Sequence, residues 1–241
     1  MNRNFYLLIV IVLECSSAIF SGCAVMSSSI LETAETVEPG RVVLGISGGI
    51  GIDLASPVFF QKNTINGEHN LVILPTMEYK IGVGVANNYE VNAKYWSTPS
   101  NFGLLFYLKH QLPPLGENTF IAVLPGVCFT YSFPDSSTRY KYPDITALGF
   151  NLPMVVSHRF NKLFSVYGVG RYGIDGVHVT ENDFLDFQGT YVLNRAGLLA
   201  GVSLEPGPVY IRLEIGLEGA KRVNGGYGYY PIVNVGIGLE L

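Results

Sequence analysis

The chain closes on the stretch PIVNVGIGLEL, where from Val233 onward every second side chain is apolar: Val233, Val235, Ile237, Leu239 and Leu241. Asn234, Gly236, Gly238 and Glu240 stand between them. Successive side chains of an extended strand point to opposite faces, so a period of two writes a strand with one apolar and one polar face. The pattern recurs upstream. Over 41–54, Val42, Leu44, Ile46, Ile50, Ile52 and Leu54 oppose Arg41, Ser47, Gly49, Gly51 and Asp53. Over 88–97, Tyr89, Val91, Ala93 and Tyr95 oppose Glu90, Asn92 and Lys94. Over 208–221, Val209, Ile211, Leu213, Ile215 and Leu217 oppose Tyr210, Arg212, Glu214 and Glu218.

Read this way, the sequence predicts ten strands, at 41–54, 69–82, 88–97, 101–110, 119–132, 144–159, 163–175, 188–204, 208–221 and 227–241. The connections alternate in character. Ala86-Asn87-Asn88, LPPLGEN, Asn161-Lys162 and Glu205-Pro206-Gly207-Pro208 are short turns. SPVFFQKNTINGE, FPDSSTRYKYPD and DGVHVTENDFLD are long and polar, while the link near Ser97 to Ser100 is short and breaks the alternation. Short turns at one end, longer loops at the other and an even strand number are the format of a transmembrane barrel.

Composition bears on which face is wet. The chain is 48% hydrophobic and only 14% charged, against about 25% charged in soluble proteins. After residue 22 no stretch approaches the roughly 18 apolar residues of a spanning helix. The apolar surface must therefore face a core or be spread over strands. A soluble lipocalin-like barrel turns the apolar face inward around a ligand; a membrane barrel turns it outward to lipid. Three features favour the second. Glycines share the polar face with long charged residues. Aromatics gather near strand ends: Tyr89, Tyr95, Phe102, Phe106, Phe129, Tyr131, Phe160, Phe164 and the run Tyr227 to Tyr230. The faces assigned outward carry almost no charge, with Asn194 the main polar exception.

The N-terminus MNRNFYLLIVIVLECSSAIFSGC places Arg3 before the apolar run Phe5 to Leu13 and then small residues, the layout of a secretory signal. Phe20-Ser21-Gly22-Cys23 resembles a bacterial lipobox, with Phe20 where Leu is usual. The domain plan is a signal peptide over 1–22, a lipidated Cys23 and polar tether over 23–40, and a barrel over 41–241. From Gly40 to Leu241 the pattern resembles the small outer-membrane β-barrel proteins of diderm bacteria. PTMEYKIGVGVANNYEVNAKYW has the hairpin style of that class. The resemblance implies an all-β, closed, antiparallel up-and-down transmembrane barrel, with both ends periplasmic. Its implied partners are outer-membrane lipid and the barrel-assembly and lipoprotein-processing machinery, with the chain a monomer.

On the polar faces Glu78, Lys80, Glu90, Lys94, Arg171, Arg195, Arg212, Glu214 and Glu240 supply both signs of charge. In a narrow bore such charges need partners, so the expectation is an internal ion-pair network that plugs the lumen, and the second reading is a minor pore. Catalytic signals are weak. Asp175-Gly176-Val177-His178, with Asp183 and Asp186, is placed in an external loop, where omptin proteases carry Asp and His near the rim. Ser157 and His158 alternate to opposite faces. His69, His110 and His178 lack metal-ligand spacing, and Cys128 has no His or Asp neighbour in sequence. Net charge is −4 with no basic stripe, which leaves nucleic acid without support. The expected role is structural, surface-interacting or a minor pore, with no catalytic residues, cofactor or metal. The alternatives are a lipid-anchored soluble barrel that binds a small apolar ligand, and an outer-membrane lipid- or peptide-modifying enzyme.

Overall fold

The structure is a computed structural model and describes residues 29–52, 73–98, 101–132, 145–180, 189–221 and 227–241. Its strands are β1 (Val42–Ile52), β2 (Ile73–Ala86), β3 (Tyr89–Thr98), β4 (Asn101–Gln111), β5 (Thr119–Val123), β6 (Gly126–Ser132), β7 (Ile145–Asn161), β8 (Phe164–Val179), β9 (Gly189–Leu204), β10 (Val209–Lys221) and β11 (Tyr227–Glu240). Every pairing is antiparallel, and β1 pairs with β11 in the register Leu44↔Leu239 and Ile46↔Ile237. Val42 and Leu241 complete the seam, each donating its N–H to the other's carbonyl at 3.0 and 2.8 Å. The sheet therefore closes on itself and has no edge.

The segment 119–132, read as one strand, is broken at Leu124-Pro125 into β5 and β6. Pro125 has no N–H to give a ladder. The break is stitched by Leu124 N–H to the carbonyl of Pro153 and by Leu108 N–H to that of Pro125, at 2.8 and 3.0 Å. Both pieces lie between β4 and β7, so the barrel has ten strand positions. Two strands, β2 and β8, run well past the ends the sequence reading gave them. β2 continues to Ala86 because Ile81, Val83 and Val85 keep the alternation, all three exposed. β8 continues to Val179, which removes Asp175 and His178 from any external loop.

The outer face is apolar. Leu44, Ile81, Val91, Leu148, Met154, Leu198, Ile215 and Val235 all stand exposed in mid-strand. A lipocalin-like arrangement would have these residues inside. Asn194 also lies on the outer side, where it accepts a hydrogen bond from the Tyr172 hydroxyl at 3.0 Å. Aromatics stack at both ends of the outer face. Tyr89 packs on His110 with centroids 4.4 Å apart, and Phe160 on Phe164 at 5.6 Å. Tyr95, Phe102 and Tyr131 cluster near the 98–101 turn. Tyr230 is a correction to that girdle: it is buried and points into the lumen.

The interior is divided. On β1–β3, β10 and β11 many inward side chains are charged, amide or glycine, with Val43, Trp96, Tyr210, Tyr230 and Ile232 among the buried exceptions. On β4–β9 many are apolar, including Leu105, Leu124, Ile145, Val155, Val169, Val177 and Leu193, all buried. Stretches of these strands are apolar on both faces, although Lys109, Arg171, Asp175 and Arg195 also point inward. One large inward side chain has a place made for it: Trp96 lies across its cross-strand partner Gly103, where any Cβ would overlap the indole.

The largest departure from the sequence reading is the segment read as a polar tether. Residues 29–34 are not outside the domain. Ser29, Ile30, Leu31, Glu32, Thr33 and Ala34 are all buried within the barrel. The chain leaves the lumen at Gly40, whose N–H donates to the Gly84 carbonyl at 2.8 Å, and turns into β1. The physical reason is charge. Glu32 has a cationic pocket to occupy, and the inward glycine Gly84 leaves room for the main chain of Val37 and Glu38. Residues 1–28, which include the segment read as a signal peptide and Cys23, lie outside the described residues.

Candidate lumen site

Strand alternation sends Lys80 (β2), Glu90 (β3), Tyr107 and Lys109 (β4) and Arg212 (β10) into the bore. All five surround Glu32. Lys80 forms an ion pair with Glu32 and stands 3.6 Å from Glu90. Lys109 lies 3.3 Å from Glu32 and 3.5 Å from Glu90. Arg212 approaches Glu32 at 3.7 Å, and the Tyr107 hydroxyl donates to it at 2.7 Å. Burial alone would raise the Glu32 pKa. Lys80, Lys109 and Arg212 outweigh it and hold the carboxyl well below the usual carboxylate range. Glu35, nearer the base, goes the other way: burial raises its pKa against the pull of Arg159, 2.7 Å away.

The barrel also grips the segment's main chain. Ile30 and Leu31 donate their N–H groups to the two oxygens of Glu214, both at 3.0 Å. Leu31 has φ = 48°, a left-handed conformation that turns consecutive N–H groups to one side as an anion-binding nest. Arg212 donates to the Leu31 carbonyl at 2.7 Å and Lys94 to the Ser29 carbonyl at 2.8 Å. Ala34 N–H donates to Ser157 Oγ at 3.1 Å, Thr36 N–H to Gln111 at 2.8 Å and Val37 N–H to Glu90 at 3.3 Å.

A second cluster lies beyond the segment. Arg195 (β9) donates to Asp175 at 2.6 Å and to Glu218 at 2.8 Å, and to Asn151 at 3.0 Å. Arg171 pairs with the other oxygen of Glu218. Cys128 Sγ lies 3.5 Å from Asp175 and 3.2 Å from Asn151. Between this cluster and Ser29, among the described residues, lies a cavity of about 30 Å³ lined by Trp96, Tyr107, Leu124 and both arginines among others. That is room for one or two waters. Below the segment a vestibule of about 610 Å³ opens at the base, bordered by Glu35, Arg41, Arg159, Glu205 and Glu240.

Of the nine charges assigned to the lumen network, Glu78, Lys80, Glu90, Lys94, Arg171, Arg195 and Arg212 all form ion pairs within it; Glu78 meets Lys94 at 3.3 Å. Glu214 joins through hydrogen bonds, accepting from the segment and from Asn234 at 3.0 Å. Glu240 faces the vestibule and makes no ion pair among the described residues. Three members escaped the sequence reading, Glu32, Lys109 and Asp175, and Glu218 was placed on the polar face but not in the network. Lys109 was findable, because it stands directly across from Glu90 in the β3–β4 register.

The catalytic candidates do not assemble. Asp175 is fully buried inside, while His178 points outward to Thr190, 2.9 Å away. Ser157 faces in and His158 out, where it meets Thr119 at 2.9 Å. His69, Asp183 and Asp186 lie outside the described residues. No cluster of three or more metal-ligating His, Cys, Asp or Glu side chains occurs among the described residues.

No protein family's sequence profile matches the chain, and no curated protein does. Its likeness to known proteins is one of barrel architecture. It is similar to the outer membrane protease OmpT from Escherichia coli, at 9% identity over 87% of this chain and 100% of that one, with a TM-score of 0.44. It is similar to the translocator domain of the autotransporter NalP from Neisseria meningitidis, at 13% identity over 83% and 88%, with a TM-score of 0.43. The outer membrane channel DcaP of Acinetobacter baumannii matches at 8% identity over 87% and 100%, with a TM-score of 0.22.

Proposed function

We propose that this chain is a bacterial outer-membrane β-barrel protein whose lumen is held shut by its own N-terminal segment. The observation that carries the reading is Glu32, buried on that segment among Lys80, Lys109 and Arg212. A carboxylate removed from water is costly unless paired, and those pairs exist only with the segment inside. The protein then acts as a structural or surface-interacting membrane protein at rest, and as a minor pore only when the segment leaves. The vestibule, where the chain enters β1 and leaves β11, is the periplasmic end in this reading, and the protein is a monomer.

The resting state is tested by planar-bilayer recording of the purified full-length protein. Silence is expected; discrete openings of the unmodified protein would contradict the plug. Lipidation at Cys23 belongs to the same reading. Cys23 precedes Ser29 by six residues, so the acyl group lies within about 20 Å of Ser29 along the chain. Metabolic palmitate labelling that survives Cys23→Ser would exclude it.

A further inference from the structure

The N-terminal segment is held as a ligand is held. Seven of its main-chain groups are bound by barrel side chains: the carbonyls of Ser29 and Leu31 and the N–H groups of Ile30, Leu31, Ala34, Thr36 and Val37. Main-chain groups are common to every polypeptide, so most of this recognition is indifferent to sequence. Selectivity comes from two side chains. Glu32 meets three cations and the Tyr107 hydroxyl. Ser29 donates to Glu78 and accepts from Lys94 at 3.0 Å. Two positions after Glu32, Ala34 is 0% exposed, so only a small side chain fits there, while Thr33 borders the vestibule.

The hold is also separable from the barrel. The β1–β11 seam closes without any group from residues 29–37. Departure of the segment would strand seven bound polar groups' partners, among them Glu214, Ser157 and Gln111, in a bore reached from the 610 Å³ vestibule. Those partners are placed for a main chain that turns at Leu31, where φ is 48°.

We propose that the lumen is a polypeptide-binding tunnel. In place of residues 29–37 it takes a segment of another protein that can turn as the resident one does at Leu31, one that carries a carboxylate with a small residue two positions after it. The proposal rests on the plugged-barrel reading. The test uses the full-length protein with Ala34→Trp, which has no room for an indole, so the resident segment is expelled while every barrel charge stays. The probe is a fluorescent synthetic peptide, Ser-Ile-Leu-Glu-Thr-Ala-Glu-Thr-Val, beside the same peptide with Lys at its fourth position. Binding is read by anisotropy in detergent and by block of current in planar bilayers. The variant should conduct, and the native peptide should bind and block. The Lys peptide should bind roughly tenfold to a hundredfold more weakly, the span for a lost charge-assisted hydrogen bond.

If the variant conducts but the native peptide neither binds nor blocks, or both peptides bind alike, the tunnel proposal is overturned and the plug stands. If the variant stays silent and binds no peptide, both fail. Heat-dependent migration on SDS gels checks that the barrel has formed. Should Ala34→Trp not fold, Glu32→Lys, repelled by Lys80, Lys109 and Arg212, takes its place with the same outcomes.

Discussion

Replacing Arg195 by Met tests whether the lumen is dry. The side chains are similar in length, so the substitution removes charge and hydrogen bonds with little change in volume. Arg195 is 4% exposed, and its guanidinium satisfies Asp175 at 2.6 Å, Glu218 at 2.8 Å and Asn151 at 3.0 Å. Glu218 keeps Arg171 as a partner. Asp175 is left as a carboxylate at 0% exposure with no other ion-pair partner among the described residues. Breaking a buried pair from one side costs about 3–5 kcal/mol, whereas an exposed pair such as Arg41–Glu38, 3.5 Å apart, is worth about 0–1 kcal/mol. Urea unfolding of the protein in lipid vesicles should therefore show Arg195→Met less stable by about 3–5 kcal/mol. Adding Asp175→Asn should recover a large part of that, because a neutral amide has no uncompensated charge to bury. A loss below about 1 kcal/mol, or no recovery in the double variant, would mean that water screens the cluster and that the lumen is wet.

Further outcomes follow from the same interior and from the outer face. Trp96 is the sole tryptophan and is 1% exposed; Gly103→Val should push the indole off its site, shift its fluorescence to the red, admit iodide quenching and cost about 1–3 kcal/mol. Unchanged emission would refute the stacking. Ile215 lies in the middle of β10 and is 62% exposed, so Ile215→Arg should cost about 2–4 kcal/mol in vesicles and Leu241→Arg at the base about 0–1; equal, negligible costs would point to a water-facing exterior. The folded pKa of Glu32 is depressed, so its contribution is complete above the unfolded value of about 4.3 and is lost only as pH falls through the lower folded value. The lumen should accordingly stay closed between pH 7 and pH 5, and bilayer conductance appearing at pH 5 would contradict the assigned pairs.

The barrel was legible because period two leaves a strong trace. β3, with Glu90, Asn92 and Lys94 inward against Val91 and Tyr95 outward, is written plainly in YEVNAKYW. Alternation was also enough to turn Lys80, Arg171, Arg195 and Arg212 inward. It fails where both faces are apolar, as on β7, where Ile145 and Val155 face the lumen while Leu148 and Met154 face out. There the exterior is marked by exposure in the closed barrel and not by residue type. The N-terminal segment was illegible for another reason. SSSILETAET has no periodicity, and its place is set by long-range contacts such as Glu32 with Lys80, Lys109 and Arg212, which no local pattern encodes. Asp175 went astray because Asp-Gly reads as turn chemistry, although the alternation around it continues through Val177 and Val179.

Ala34 reports whether residues 29–37 lie inside the barrel. Its N–H meets Ser157 at 3.1 Å and it is 0% exposed. A cysteine introduced by Ala34→Cys adds one sulfur atom and can be probed with a membrane-impermeant maleimide on protein in vesicles, against the unsubstituted chain as background. No added labelling is expected until the barrel is unfolded by heat in SDS, and full labelling afterwards. Rapid, stoichiometric labelling of the folded protein would place the segment outside the lumen and refute the plug.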